Sequence, residues 1–304
     1  MSTFDPDALE CLAAIVEEGG FERAAVRLSI TQSAVSQRLR SLEAQVGTVL
    51  IVRSRPLKAT SAGQLLLKHT KQMRLLRADL ERDLKELAPS SSGGRDEERV
   101  SIAINADSIA TWALDALGPL VREGLPLEII TDDQDFTQEW LREGQVLGCV
   151  TTLKQAMRGC KVVPLGAMNY VAVCAYSVRE EGQFDLKNGL NAHNFHRLPF
   201  IAFNRKDDMQ SEFVAKAFGL KRVSLRQLFV PSSQAQVRAV RDGWGVSVLP
   251  QLTVQPWLDN GEFVNLLPEF ALPVQLYWHC WNLESDVLDN LTCSLKECAS
   301  KQLK

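Results

Sequence analysis

The chain has 304 residues, 45% of them hydrophobic and 23% charged, with a formal net charge of −3. That length exceeds one ordinary core and predicts two or three soluble globular domains. No apolar run reaches the ~18–20 residues needed to span a bilayer, and the N-terminus lacks the basic start of a secretory signal, so the expected location is the cytoplasm, away from membranes.

Seven cysteines form no C-x-x-C pair, and the four histidines are scattered. This predicts buried, reduced thiols, with no metal site and no cofactor. The small net charge conceals an asymmetry. Residues 21–60 hold seven Lys/Arg against two acids, a basic block on an otherwise acidic protein, as a local polyanion contact requires. A solvated surface would give the same count.

Residues 6–18 place Leu9, Leu12, Ile15 and Val16 on one helical stripe, which "EEGG" ends. A short second helix over 21–28 buries Phe21, Ala24, Ala25 and Leu28. Thr31 is placed to cap a third helix, whose Val35, Leu39, Leu42 and Val46 follow helical spacing and whose stop is Gly47. The opposite face carries Gln32, Ser33, Ser36, Gln37 and Arg40. Gln and Arg can contact adenine and guanine edges in pairs of bonds, while Ser and Thr reach phosphates or either base. The pattern therefore predicts a helix-turn-helix with Thr31, Gln32, Ser33, Ser36, Gln37 and Arg40 toward double-stranded DNA. An exposed helix with arbitrary polar residues is the plainer alternative. "VLIVRSRPLKATSAG" (49–63) predicts two short strands, a wing whose Arg53, Arg55 and Lys58 grip phosphates.

Ala24-Ala25 through Gly47 follow A-A-x-x-L-x-x-T-Q-S-A-V-S-Q-x-L-x-x-L-E-x-x-x-G, and Arg53 to Gly63 follow R-x-x-x-x-x-x-T-x-A-G. These residues resemble the LysR-type transcriptional regulators. From Ser61 to about Leu87 a helix is expected, with Leu66, Met73, Leu80 and Leu87 recurring every seven residues and Leu76 and Leu84 widening the stripe. Heptads predict packing on another helix, either a partner subunit's or one of the same chain. The resemblance implies the former, a homodimer that pairs further into a homotetramer. "APSSSGGRDEER" (88–99) follows as a polar linker.

Beyond residue 99 strand-like and helix-like segments alternate, the pattern of parallel α/β sheets. The resemblance implies an α/β multidomain chain: a winged helix-turn-helix (1–60), a dimerisation linker helix (61–88) and a hinge (89–99). A periplasmic-binding-protein-like effector domain follows, with one subdomain over 100–168 and 266–304 and a second over 169–265. Ligands in such sheets sit at the carboxyl ends of strands. "INADS" (104–108) and "VPSSQA" (230–235) offer Asp107, Ser108, Ser232 and Ser233 at helix starts, which attract a carboxylate or merely cap the helix. Asp107, Asp132, Asp133, Asp135, Asp207 and Asp208 gather at strand ends and would suit a cation.

"NADSIATW", the "FN–DDM" segment and "LYWH" further resemble the ArgP branch of the family, also called IciA or LysG. That resemblance implies lysine or arginine as effector and a basic-amino-acid exporter among the controlled genes, with RNA polymerase as a partner in activation. It carries over Asn105, Asp107, Ser108, Thr111, Trp112, Asp207, Asp208, Ser232 and Ser233 as effector-binding candidates, to which the acid cluster adds Asp133. No G-x-S-x-G, phosphate loop or metal-ligand spacing accompanies "GWGVSVLP" (243–250), so no enzyme is expected. Two alternatives stay open: a ligand-insensitive DNA binder that inhibits replication initiation or shapes DNA, and a solute-binding protein.

Overall fold

The computed structural model describes residues 4–52, 57–87, 99–132, 137–182 and 184–303, with the side chains of 83, 85–87 and 132 left aside. Expectations for Arg53, Arg55, Asp133, Asp135 and the linker over 88–98 lie outside these residues.

Helices α1 (Pro6–Glu17), α2 (Phe21–Arg27) and α3 (Gln32–Val46) enclose the first core. Asp5 caps α1, with Pro6 in the first turn, where its missing N–H costs nothing. Thr31 accepts a bond from Ala34 N at 3.2 Å, and Gly47 closes α3 in the left-handed region at φ 79°. Leu12, Ile15, Val35 and Leu42 are buried between the helices, each contributing about 1.5–3 kcal/mol of transfer free energy. Strands β1 (Ile51–Val52) and β2 (Lys58–Ala59) pair antiparallel as a small wing.

Helix α4 (Ser61–Leu87) then runs for roughly 40 Å. Its entry explains several of the motif residues. Thr60 Oγ1 donates to Val49 O at 2.8 Å and accepts from Gly63 N at 3.1 Å, while Glu43 accepts from Leu50 N at 2.8 Å. Gly63 lies so close to the wing that a Cβ there would sit 2.2 Å from Leu50 O. Only a glycine lets α4 leave at this angle.

The second half comprises β3 (Val100–Asn105), α5 (Ala106–Ser108), a π-helical turn (Ile109–Ala113), α6 (Leu114–Arg122), β4 (Leu127–Asp132), α7 (Thr137–Arg142), β5 (Gly148–Thr151) and β6 (Cys160–Ala175). Then come α8 (Tyr176–Glu180), a 3-10 turn (Phe195–Arg197), β7 (Pro199–Ala202), α9 (Met209–Phe218), β8 (Arg226–Phe229), α10 (Ser233–Arg241) and β9 (Ser247–Pro250). The chain ends with α11 (Gln251–Asp259), β10 (Phe263–Asn265), β11 (Leu272–Trp281) and α12 (Asp286–Gln302).

The main sheet has the order β10-β6-β11-β5-β3-β4, with β9 also on β6. Parallel pairing, the pattern expected from the sequence, joins β3 with β4 and β5 and β7 with β8, with one isolated parallel bridge between Phe200 and Val246; β6 pairs antiparallel with β9, β10 and β11. The reason is that β6 and β11 form one long ribbon, registered from Leu272↔Tyr170 to Trp281↔Cys160. Alternation along β6 sends Tyr170, Ala172 and Cys174 into one core and Val171 and Val173 into another. The first of these clusters is continuous from Ile102 and Trp278 to Phe200 and Phe213, while the second is confined to Ile201, Val240, Leu249 and their neighbours, so the ribbon ties two lobes together through a shared core. Among the described residues no helix is long and apolar enough to cross a membrane.

Candidate functional site

Two surfaces carry chemistry. On α3, Thr31, Gln32, Ser33, Gln37 and Arg40 are exposed and Ser36 is half-buried, while Val35, Leu39 and Leu42 point inward. Thr31 Oγ1 and Ser33 Oγ lie 3.0 Å apart, Gln32 Nε2 donates to Ser36 Oγ at 3.4 Å, and Arg40 Nε donates to Ser36 O at 3.2 Å. This is one polar face on a helix whose other face is anchored. Lys58 is exposed on β2.

The basic block proves partly internal. Arg27 pairs with Glu17 at 2.5 Å, Arg38 pairs with Asp7 at 3.0 Å, and Arg23 donates to Glu18 O. Among the described basic residues of 21–60, that leaves Arg23, Arg40 and Lys58 exposed without an ion pair, Arg23 and Arg40 each donating to a backbone carbonyl.

The other site is a cavity of about 50 Å³ lined by Asn105, Asp107, Tyr170, Asp207, Gln210 and Gln236, with Ala106, Phe203, Met209 and Val248 completing it. Asp107 is its centre. It follows β3, and its Oδ2 accepts from Tyr170 Oη at 2.8 Å while its Oδ1 accepts from Ser233 Oγ at 2.7 Å. Burial raises the pKa of this carboxyl above the ordinary aspartate range; the Ser233 and Tyr170 hydrogen bonds oppose the rise, and the charge of Asp207 adds to it. Asp207 accepts from Phe203 N at 2.8 Å and from Met209 N at 2.9 Å. Asn105 is 3% exposed and its Oδ1 has no hydrogen-bond partner.

Of the sequence-derived candidates, Asn105, Asp107 and Asp207 line the cavity, and Ser233 reaches it through Asp107. The rest stand differently. Ser108 is buried without a partner for its hydroxyl, and Thr111 Oγ1 donates back to Asp107 O at 2.6 Å. Trp112 is fully buried in the first lobe's core. Ser232 caps α10, and Asp208 is exposed at the start of α9. Tyr170, Gln210, Gln236 and Val248 were not anticipated. Tyr170 lies inside an apolar strand, and Gln210 spends its amide on the backbone N–H and C=O of Val248.

A reading helix with a wing, a long helix, and a buried polar cleft between two α/β lobes define a DNA-binding regulator with its own small-molecule sensor. Residues 6–64 match the family described as "Bacterial regulatory helix-turn-helix protein, lysR family", and residues 93–287 match "LysR substrate binding domain". The chain belongs to the LysR family of transcriptional regulators; it is an effector-controlled DNA-binding protein and not an enzyme. It is 39% identical over 299 residues to the HTH-type transcriptional regulator LysG of Mycobacterium tuberculosis (strain ATCC 25618 / H37Rv), covering 97% of this chain and 94% of the relative. A crystal structure of ArgP from Mycobacterium tuberculosis is similar at 38% identity with a TM-score of 0.83, covering 98% of each chain. Full-length LysG from Corynebacterium glutamicum with bound effector Arg is similar at 35% identity and a TM-score of 0.75, again over 98% of each chain.

Proposed function

We propose that this regulator senses a basic amino acid, lysine and/or arginine, in the cleft around Asp107, and that occupancy changes its grip on promoter DNA. One observation carries the reading: the cleft presents two carboxylates, Asp107 and Asp207, and the unpartnered Asn105 Oδ1, while no Lys, Arg or His is among its lining residues. Lysine and arginine each bring two cationic groups and one carboxylate, which matches two acids beside a helix start. The arginine held by the Corynebacterium relative supports the same class of ligand. Asp133 and Asp208 are further candidates for contact with the effector's cationic groups.

On the DNA side, Thr31, Gln32, Ser33, Ser36, Gln37 and Arg40 read or approach the major groove, and Arg53, Arg55 and Lys58 hold flanking phosphates. The exposed stripe of Met73, Leu76, Leu80 and Leu84 on α4 pairs two chains, so that two reading helices face an inverted repeat; dimers associate further into tetramers. The protein acts in the cytoplasm, contacts RNA polymerase where it activates, and controls export of basic amino acids or related genes. The ligand works through different affinities for two arrangements of the lobes.

Thermal unfolding with each of the twenty amino acids tests the effector. A ligand at about a hundred times its Kd adds ~2.7 kcal/mol to the native state, roughly 5–10 °C for domains this size. A rise with lysine or arginine is the expected result. A rise with a neutral or acidic amino acid alone overturns the assignment.

A further inference from the structure

We propose that Asp107 is a built-in stand-in for the effector's own carboxylate: it occupies the start of α10 until a ligand carboxylate replaces it there. The inference rests on the cleft reading above and specifies how that cleft is regulated.

Asp107 belongs to the first lobe, at the end of β3, and Ser233 is the first residue of α10 in the second. Their 2.7 Å bond joins groups 126 positions apart and crosses the cleft. The anion lies beside the positive end of a nine-residue helix, where a free carboxylate would also be stabilised. Asn105 Oδ1, buried and unpartnered on the same cavity wall, marks a position that lacks a hydrogen-bond donor. A cavity of about 50 Å³ holds a few waters at most, so an amino acid enters only when the Asp107 and Ser233 sides part.

The exchange conserves the bonding at each end. The ligand's carboxylate takes the Ser233 hydroxyl, and the released Asp107 takes the ligand's cation, with Tyr170 still donating to its other oxygen. A buried carboxylate whose charge lacked a counterion gains one. The second cationic group meets Asp207 and Asn105 Oδ1. A direct bond between lobes thus becomes a bond through the ligand, which differs in span, and this difference is what shifts the lobes.

The test compares arginine with agmatine, the same molecule without its carboxylate, by titration calorimetry on the full-length protein. Wild type binds arginine at least about tenfold more tightly than agmatine. Ser233→Ala collapses that ratio toward one by weakening arginine while leaving agmatine equal or tighter, and Ser233→Thr, which keeps the hydroxyl, restores it. An arginine-to-agmatine ratio unchanged in Ser233→Ala, or equal weakening of both ligands, overturns the stand-in and leaves the basic-amino-acid reading intact. Should wild type bind lysine instead, the same comparison is made between lysine and cadaverine, and wild type that binds none of the four overturns both.

Discussion

At Asp107 the raised carboxyl pKa has a sign that can be checked without ligand. The folded protein holds this proton more tightly than the unfolded chain does, so ionisation at neutral pH opposes folding. Asp107→Asn removes the buried charge and keeps the shape. It should raise Tm at pH 7, by roughly 2–4 °C per kcal/mol relieved, and the gain should vanish as pH falls below the ordinary aspartate range. A gain that persists in acid would point to packing instead. His279 behaves oppositely: burial lowers its pKa, and its Nε2 lies 2.6 Å from Leu153 O. The unfolded chain protonates first, so stability should fall as pH drops through the ordinary histidine range, and His279→Gln should flatten that slope in pH-dependent melts. Asp107 was legible in the sequence because it stands at a strand-to-helix junction, the end of the sheet where ligands of such folds sit. Tyr170 and Ser233's role toward it were not, because neither a strand tyrosine nor a helix-start serine betrays a partner 63 or 126 positions away.

Among elements, the reading helix was the most legible, since its cap, stripe and stop are local features within residues 31–47. Thr31→Ala removes the side-chain bond to Ala34 N and should cost about 0.5–2 kcal/mol in the unfolding of the head. DNA affinity should weaken in parallel in a fluorescence anisotropy titration. Gln32→Ala should instead lower the ratio of operator to random-sequence affinity, by about 1–3 kcal/mol for a lost two-bond base contact, and Ser33→Ala should lower it by less; an unchanged ratio removes that residue from base readout. The heptads of α4 were visible too, but not the division of labour along the helix. Leu67 and Leu75 are buried within the chain, whereas Met73, Leu80 and Leu84 stay exposed. Apolar spacing reveals that a helix has a covered face and is silent on what covers it. The antiparallel ribbon was equally hidden, because "YVAVCAY" and "VQLYWHCW" alternate alike whichever way their neighbours run.

For the whole molecule, α4 is the physical link between head and sensor. Arg74 donates to both carboxylate oxygens of Glu10 at 2.9–3.0 Å and to Glu17 at 3.0 Å on α1. One turn away, Lys71 donates to Gln145 O at 2.9 Å, and Leu75 sits in the first lobe's core. Arg74→Ala should therefore leave effector affinity unchanged in calorimetry while uncoupling it from DNA: the effector-induced change in operator affinity should shrink by several-fold. An undiminished response would place the coupling elsewhere.

The ribbon of β6 and β11 has a further consequence. Tyr170 and Leu272 are register neighbours, so the stretch of chain between them departs from and returns to adjacent points. In the language of protein engineering it is a cassette with two splice sites side by side. Exchanging that contiguous stretch between relatives would transplant one wall of the ligand cleft, Ser233 and Asp207 included, as a single insert, while the reading head and its operator preference stay with the host.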